Sequence, residues 1–190
     1  MANISQKLHK EGVDLFRSGK YEAALEKFEE ALQNETDTKH LAEIYNDKGV
    51  THKELEDYPA AYAALNEAMI RFNELEDKKG QAQTLGNRAS VYEAEGLAEE
   101  AVETYKQSAT MLEEIGESEM AIYVWQAVSR LRMKQGQYIA AIGAYEEGVE
   151  NMPKSSLKGK IMRQILKVPG SMLGGGSKAG EADDDDDDDE

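Results

Sequence analysis

The sequence has no cysteine among its 190 residues. That excludes a disulfide framework, a thiolate nucleophile and a cysteine-based metal site. Histidine is scarce too: His9, His40 and His52 are the three, and no two have the tight spacing of a ligand motif such as H-E-x-x-H. The opening MANISQKLHKEG turns polar at once, without an apolar run of signal-peptide length. No apolar stretch anywhere is long enough to span a bilayer. The expectation from these absences is a soluble chain that stays in the cytoplasm. Positive charge is also in short supply. The net charge is -16, and residues 1–153 alone carry 29 acidic against 16 basic side chains. A body this acidic repels a phosphate backbone, which argues against nucleic acid as a partner.

Reaction centres are missing by the same reading. The GGG at 174–176 has no strand before it and no Lys-Ser/Thr after it, so it is not a phosphate loop. Paired carboxylates such as Glu29–Glu30, Glu99–Glu100 and Glu146–Glu147 fall on predicted exposed helix faces, where charge is normally solvated. No catalytic residue, metal ligand set or cofactor is assigned, and an enzyme is not expected.

What the sequence does have is a repeat. Four segments end in a similar phrase: SGKYEAALEKFEEAL, LEDYPAAYAALNEAM, EGLAEEAVETYKQSA and QGQYIAAIGAYEEGV. The central alanines are Ala24, Ala61, Ala101 and Ala141, so the spacings are 37, 40 and 40. Each unit holds two stretches with apolar or small residues at i, i+3, i+4 and i+7, separated by a short turn. Gly19, Gly96 and Gly136 sit in those turns and suit a left-handed helix end. In the second unit Glu56 stands where the glycine belongs. Within each second helix small residues recur seven apart: Ala24 with Ala31, Ala61 with Ala68, Ala101 with Ser108, Ala141 with Gly148. Between them lies a large residue: Phe28, Leu65, Tyr105 and Tyr145. Small residues let helix axes approach, and the large one fills the remaining gap. One hairpin cannot bury its own apolar stripe, whereas a stack of hairpins can.

These columns resemble the tetratricopeptide-repeat (TPR) family. Its first helix carries a large residue and then a small one four positions on, matched by Leu8 and Gly12, Tyr45 and Gly49, Leu85 and Ala89, Trp125 and Ser129. The aromatic that opens its second helix is matched by Tyr21, Tyr58 and Tyr138, with Ala98 as the exception. The closing proline is matched once, by Pro153. His52 and Arg132 depart from the pattern, standing where Tyr92 has the usual aromatic.

The resemblance implies an all-α fold, a right-handed α-solenoid of four helix-turn-helix units plus a C-terminal capping helix. The four repeats occupy residues 4–153, at about 5–38, 42–77, 82–116 and 122–153. Helices are predicted near 3–18, 21–34, 38–55, 58–76, 79–95, 98–115, 118–135 and 138–151. Asn3, Asp37 and Glu117–Ser118 stand near helix starts, where they suit free N–H groups or the helix dipole.

Residues 154–168 read as a basic amphipathic helix. Leu157, Ile161, Met162, Ile165 and Leu166 share one face, and Lys154, Lys158, Lys160, Arg163 and Lys167 the rest. A cap over the open end of the last repeat is the preferred reading. A membrane-surface helix is the alternative, which the acidic tail that follows would oppose, so no stable membrane association is expected. Residues 169–190 read as a flexible linker and an acidic disordered tail, ending in Asp183, Asp184, Asp185, Asp186, Asp187, Asp188 and Asp189. That tail is either a solubilising segment or an electrostatic arm for a basic client.

The resemblance also implies that first helices line a concave face. Carried over, that face presents Gln6, His9, Val13 and Arg17, then Glu43, Asn46, Val50 and Lys53. The third repeat adds Gln83, Asn87, Ser90 and Glu93, and the fourth Tyr123, Gln126, Arg130 and Lys134. Asn and Gln side chains can clamp a peptide backbone by donating and accepting together. A carboxylate clamp of the kind that grips heat-shock chaperone tails needs cations on these helices. His9 and Val13, Asn46 and Asp47, Gln83 and Asn87 stand in their place, so that subclass is disfavoured. The expected function is a scaffold or adaptor that binds a partner peptide or helix in its concave groove. The alternative is a chaperone for a basic client, and end-to-end self-association is a third reading.

Overall fold

The computed structural model describes residues 4–152 and, beyond them, 159, 160 and 164. Eight α-helices occupy 4–152, with no strand among the described residues. They are α1 (Ile4–Arg17), α2 (Tyr21–Gln33), α3 (Thr38–Glu54), α4 (Tyr58–Glu74), α5 (Lys78–Glu95), α6 (Ala98–Glu114), α7 (Ser118–Lys134) and α8 (Tyr138–Glu150). Each ends one or two residues before the expected boundary, except α5, which ends as expected and begins one residue earlier. The shortfall is the closing turn itself, whose backbone has already left the helix.

Consecutive helices pair as antiparallel hairpins, and the hairpins stack in chain order through α2–α3, α4–α5 and α6–α7. The first helices also touch one another, α1 with α3 and α3 with α5. This is an α-solenoid of helix-turn-helix units.

The small-residue columns make the stacking tight. Ala24, Ala31, Ala61, Ala68, Ala101, Ser108, Ala141 and Gly148 are all buried. Phe28, Leu65 and Tyr105 are buried between them, while Tyr145 in the last hairpin is only half-buried. Two glycines of the first helices receive the large residues directly. A methyl on Gly12 would lie 2.5 Å from Cε1 of Phe28, and one on Gly49 would lie 2.6 Å from Cγ of Leu65. Two hairpins also carry a serine-to-carbonyl bridge, in opposite directions. The Ser5 hydroxyl donates to the Ala31 carbonyl at 3.0 Å, and the Ser108 hydroxyl donates to the Ala82 carbonyl at 2.7 Å. Each bridges the two helices of its hairpin and satisfies a buried hydroxyl.

Helix ends follow side-chain chemistry. Asp37, Asp57 and Asp77 cap α3, α4 and α5, accepting from the amides of His40, Ala60 and Gly80. Glu117 stands at the start of α7, by the positive end of the helix dipole, and makes no side-chain capping bond. Asn3 and Pro153 lie outside the described residues. Gly19, Gly96 and Gly136 adopt the left-handed conformation, with φ of 73°, 86° and 74°. Glu56 takes the same conformation at φ 59°, and Glu76 joins it at φ 52°. Of the expected capping helix, Gly159, Lys160 and Gln164 are described and helical. The rest of that segment, and the linker and acidic tail at 169–190, lie outside the described residues.

Candidate groove on the inner helices

The inner face holds an open cavity of about 700 Å³. Seven of the expected groove residues line it: His9 from α1, Glu43 and Asn46 from α3, Gln83, Asn87 and Ser90 from α5, and Tyr123 from α7. The four helices converge because hairpins spaced by about 40 residues place equivalent first-helix positions side by side.

The two amides expected to clamp a peptide lie within reach of each other. Asn87 Nδ2 donates to Asn46 Oδ1 at 3.1 Å, across the seam between the second and third hairpins. Each amide retains further donor and acceptor capacity, because an amide side chain has two donors and an acceptor with two lone pairs. Asp47, next to Asn46, also lines the cavity and accepts from His9 Nε2 at 2.8 Å.

The other nine expected residues are not among those lining the cavity. Val13 packs against the first hydrophobic cluster, with Phe28 and Ile44, because its side chain turns into the hairpin rather than toward solvent. Gln6 and Arg17 are exposed on α1, while Val50 and Gln126 are half-buried. Lys53 pairs with its neighbour Glu54 at 2.7 Å. Glu93, Arg130 and Lys134 come together as an ion-pair cluster. Arg130 Nη2 lies 2.8 Å and Lys134 Nζ 3.5 Å from the Glu93 carboxylate. The Tyr105 hydroxyl donates to the same carboxylate at 3.4 Å. Burial, and then that neighbouring negative charge, push the Tyr105 hydroxyl up to about 12.

The apolar part of the cavity lining was not anticipated. It comes from Met120, Val124 and Ala127 of α7 and Tyr105 and Leu112 of α6, with Phe72 of α4 contributing beside α3 and α5. Tyr123, 72% exposed, projects at its rim. Met120, Tyr123, Val124 and Ala127 fall at i, i+3, i+4 and i+7, a stripe the sequence displays openly. The groove therefore combines an amide-rich polar lining from α3 and α5 with an apolar lining mainly from α6 and α7. This combination suits an amphipathic helix or an extended segment with an apolar anchor.

Among the described residues no cluster of three or more His, Asp or Glu side chains is arranged to hold a metal ion. None of the described helices is long and apolar enough to cross a membrane.

A family model described as tetratricopeptide repeat matches residues 40–114, which span α3 to α6. Solved structures share the architecture. Two of MamA are 21% identical with TM-scores of 0.58; the chain is covered over 78% in both, and those chains over 78% and 73%. A tetratricopeptide repeat protein from Parabacteroides merdae ATCC 43184 is 20% identical, with a TM-score of 0.56. That match covers 85% of this chain and 58% of the other. At such identities the likeness concerns the fold alone.

Proposed function

We propose that this chain, whose residues 40–114 match a tetratricopeptide-repeat family model, is a scaffold that holds a segment of a partner protein in the groove lined by α1, α3, α5 and α7. Tetratricopeptide repeats generally mediate protein–protein interaction, and proteins built from them are generally not enzymes. The observation that carries the reading is the mixed polar and apolar lining of the cavity. Met120, Tyr123 and Val124 supply apolar area to bury, and Asn46 and Asn87 in the same cavity can meet a peptide backbone. A partner segment that buries one aliphatic or aromatic anchor there gains roughly 1.5–3 kcal/mol from that side chain. The amides set its direction and register.

The test is affinity capture with the full chain and with two variants, Asn46→Ala/Asn87→Ala and Tyr123→Ala. Both variants should lose a partner that the wild type retains, with their helical content unchanged by circular dichroism. Recovery of the same partner at the same yield by both variants would overturn the reading.

The acid excess of residues 1–153 favours one class of partner, a basic one. Complementary charge would raise the association rate and make it sensitive to salt. Under this second reading, removing residues 181–190 weakens capture of a basic client and flattens its salt dependence. If both are unchanged by the truncation, the tail has no part in binding and the chaperone reading is lost.

A further inference from the structure

The seam between the first two hairpins contains a chain of four titratable side chains. It runs from Asp47 on α3 to His9 on α1, on to His40 at the start of α3, and ends at Glu35 in the α2–α3 turn. Asp47 Oδ2 lies 2.8 Å from His9 Nε2, and His9 Nδ1 lies 2.9 Å from His40 Nε2. His40 Nδ1 meets Glu35 Oε2 in a short contact. The rings are tilted by 52° with centroids 5.0 Å apart, and Phe28 packs on His9 in a T-shaped arrangement. Both imidazoles are largely buried, so these contacts define most of their polar surroundings.

Counting protons shows what the chain requires. A carboxylate only accepts, so His9 Nε2 and His40 Nδ1 must each carry a proton to bond Asp47 and Glu35. The two inner nitrogens face each other, so one must carry a proton and the other a lone pair. Three contacts thus need three protons on two rings, which is one imidazolium and one neutral imidazole. A neutral pair has only two protons and must give up a contact. Glu35 remains a carboxylate, held down to about 2 although its burial alone would raise it, because the amides of Asp37 and Thr36 and the His40 ring all donate to it. The contact given up is therefore one of the two made by His9, and those two tie α1 to the seam. A doubly charged pair keeps both carboxylate bonds but sets two N–H groups against each other.

The charged groups around the pair are mostly acidic. Glu35 and Asp47 stand at the two ends, and Glu43 lies on the same face of α3. From α2 the neighbour is Phe28, with the Glu29–Lys48 pair further along between α2 and α3. From α5 the cavity receives Gln83 and Asn87, which are uncharged.

We propose that His9 and His40 form a one-proton latch, which fastens the first hairpin to the second when the pair carries a single positive charge and loosens it when that charge is lost. Histidine is the side chain whose ordinary charge change falls near neutral pH, so pH is the variable that sets the latch. His9 and Asp47 also line the groove, so release alters both the position of the α1 wall and the charge at that end of the cavity. The latch stands on the seam geometry and does not depend on what fills the groove.

Hydrogen exchange and imidazole NMR on the full chain test it. After correction for the intrinsic pH dependence of exchange, protection of α1 should fall about tenfold between roughly pH 5.5 and 8, the effect of one lost hydrogen bond to a charged group. Protection of α5 to α8 should not change. His9→Gln and His40→Gln should each remove the step, and His52→Gln should keep it. If the His9 and His40 variants fail to fold, the wild-type spectrum still decides. His40 Nδ1 should carry a proton throughout, and the two rings should titrate in coupled steps. Independent single-site titration of both rings, or an α1 step that survives His9→Gln, would overturn the latch.

Discussion

Glu35 shows how one side chain ties acid stability to the first seam. Its side chain is 3% exposed, and burial by itself would raise its pKa. Its Oε1 accepts from the amides of Thr36 at 2.8 Å and Asp37 at 3.0 Å, and Oε2 meets His40. Together these bonds outweigh burial and bring it from 4.5 to about 2. The folded value lies below the unfolded one. The stabilisation is therefore complete above about pH 4.5 and is lost as pH falls toward 2. Glu35→Gln should cost about 2 kcal/mol at neutral pH, the scale of a charge-assisted hydrogen bond. The deficit should shrink as pH drops through 4.5 toward 2. Urea melts at pH 7, 4 and 3 check this, and a deficit constant across them would contradict it.

Gly49 makes a second residue-scale case. An added methyl would lie 2.6 Å from Cγ of Leu65 and 3.2 Å from the Ala61 carbonyl oxygen. Cγ is a branch point and the carbonyl is backbone, so neither can swing away. Alanine gains up to about 1 kcal/mol in helix propensity, while overpacking costs about 1–3 kcal/mol. Gly49→Ala should therefore be destabilising by about 1–2 kcal/mol in thermal or urea unfolding. This contact was legible in the sequence as a small residue four after Tyr45 and a large one between Ala61 and Ala68. The His9–His40 and Asn46–Asn87 contacts were not. Their partners lie 31 and 41 residues apart, and only the register between hairpins brings them together.

At the scale of the helix, the repeat made the eight elements readable, since each phrase carries its own period and turn. Two features escaped it. Asp57 and Asp77 are caps, yet in LEDYPAAY and LEDKKGQA they read equally well as loop polarity. The apolar stripe of α7 that lines the groove has the same period as a stripe that faces a core, so spacing alone could not separate them. The caps also suggest an improvement. Gln137 precedes α8 with φ -88° and ψ 64°, close to the -86° and 70° of Asp57, but it makes no side-chain capping bond. It is exposed, and its amide already bonds the Arg132 carbonyl at 2.9 Å, which a new side chain leaves intact. Gln137→Asp should let the carboxylate accept from the first-turn amides and stabilise the chain by about 1 kcal/mol. A melting temperature unchanged or lowered at neutral pH would show that the cap does not form.

For the whole molecule, the order of the hairpins is also the order of its contacts. Each hairpin packs on its neighbours, so a defect in one seam should stay local. Ile44 is the sharpest probe. It is fully buried on α3 and belongs to the same cluster as Ala24, Phe28 and Ala31 of α2. Cutting it back to alanine removes the aliphatic contact between the first two hairpins, at about 2–5 kcal/mol for a buried isoleucine. In a quasi-one-dimensional stack that loss falls on the end unit, which has a neighbour on one side only. Ile44→Ala should therefore speed amide exchange throughout α1 and α2 by more than tenfold, while α5 to α8 exchange as in the wild type. Near neutral pH the His9–His40 contact acts on the same seam, so adding His40→Gln should deepen the effect there and nowhere else. Equal loss of protection in all eight helices would mean that the hairpins unfold as a single cooperative unit. The groove wall at α1 would then not move independently of the rest.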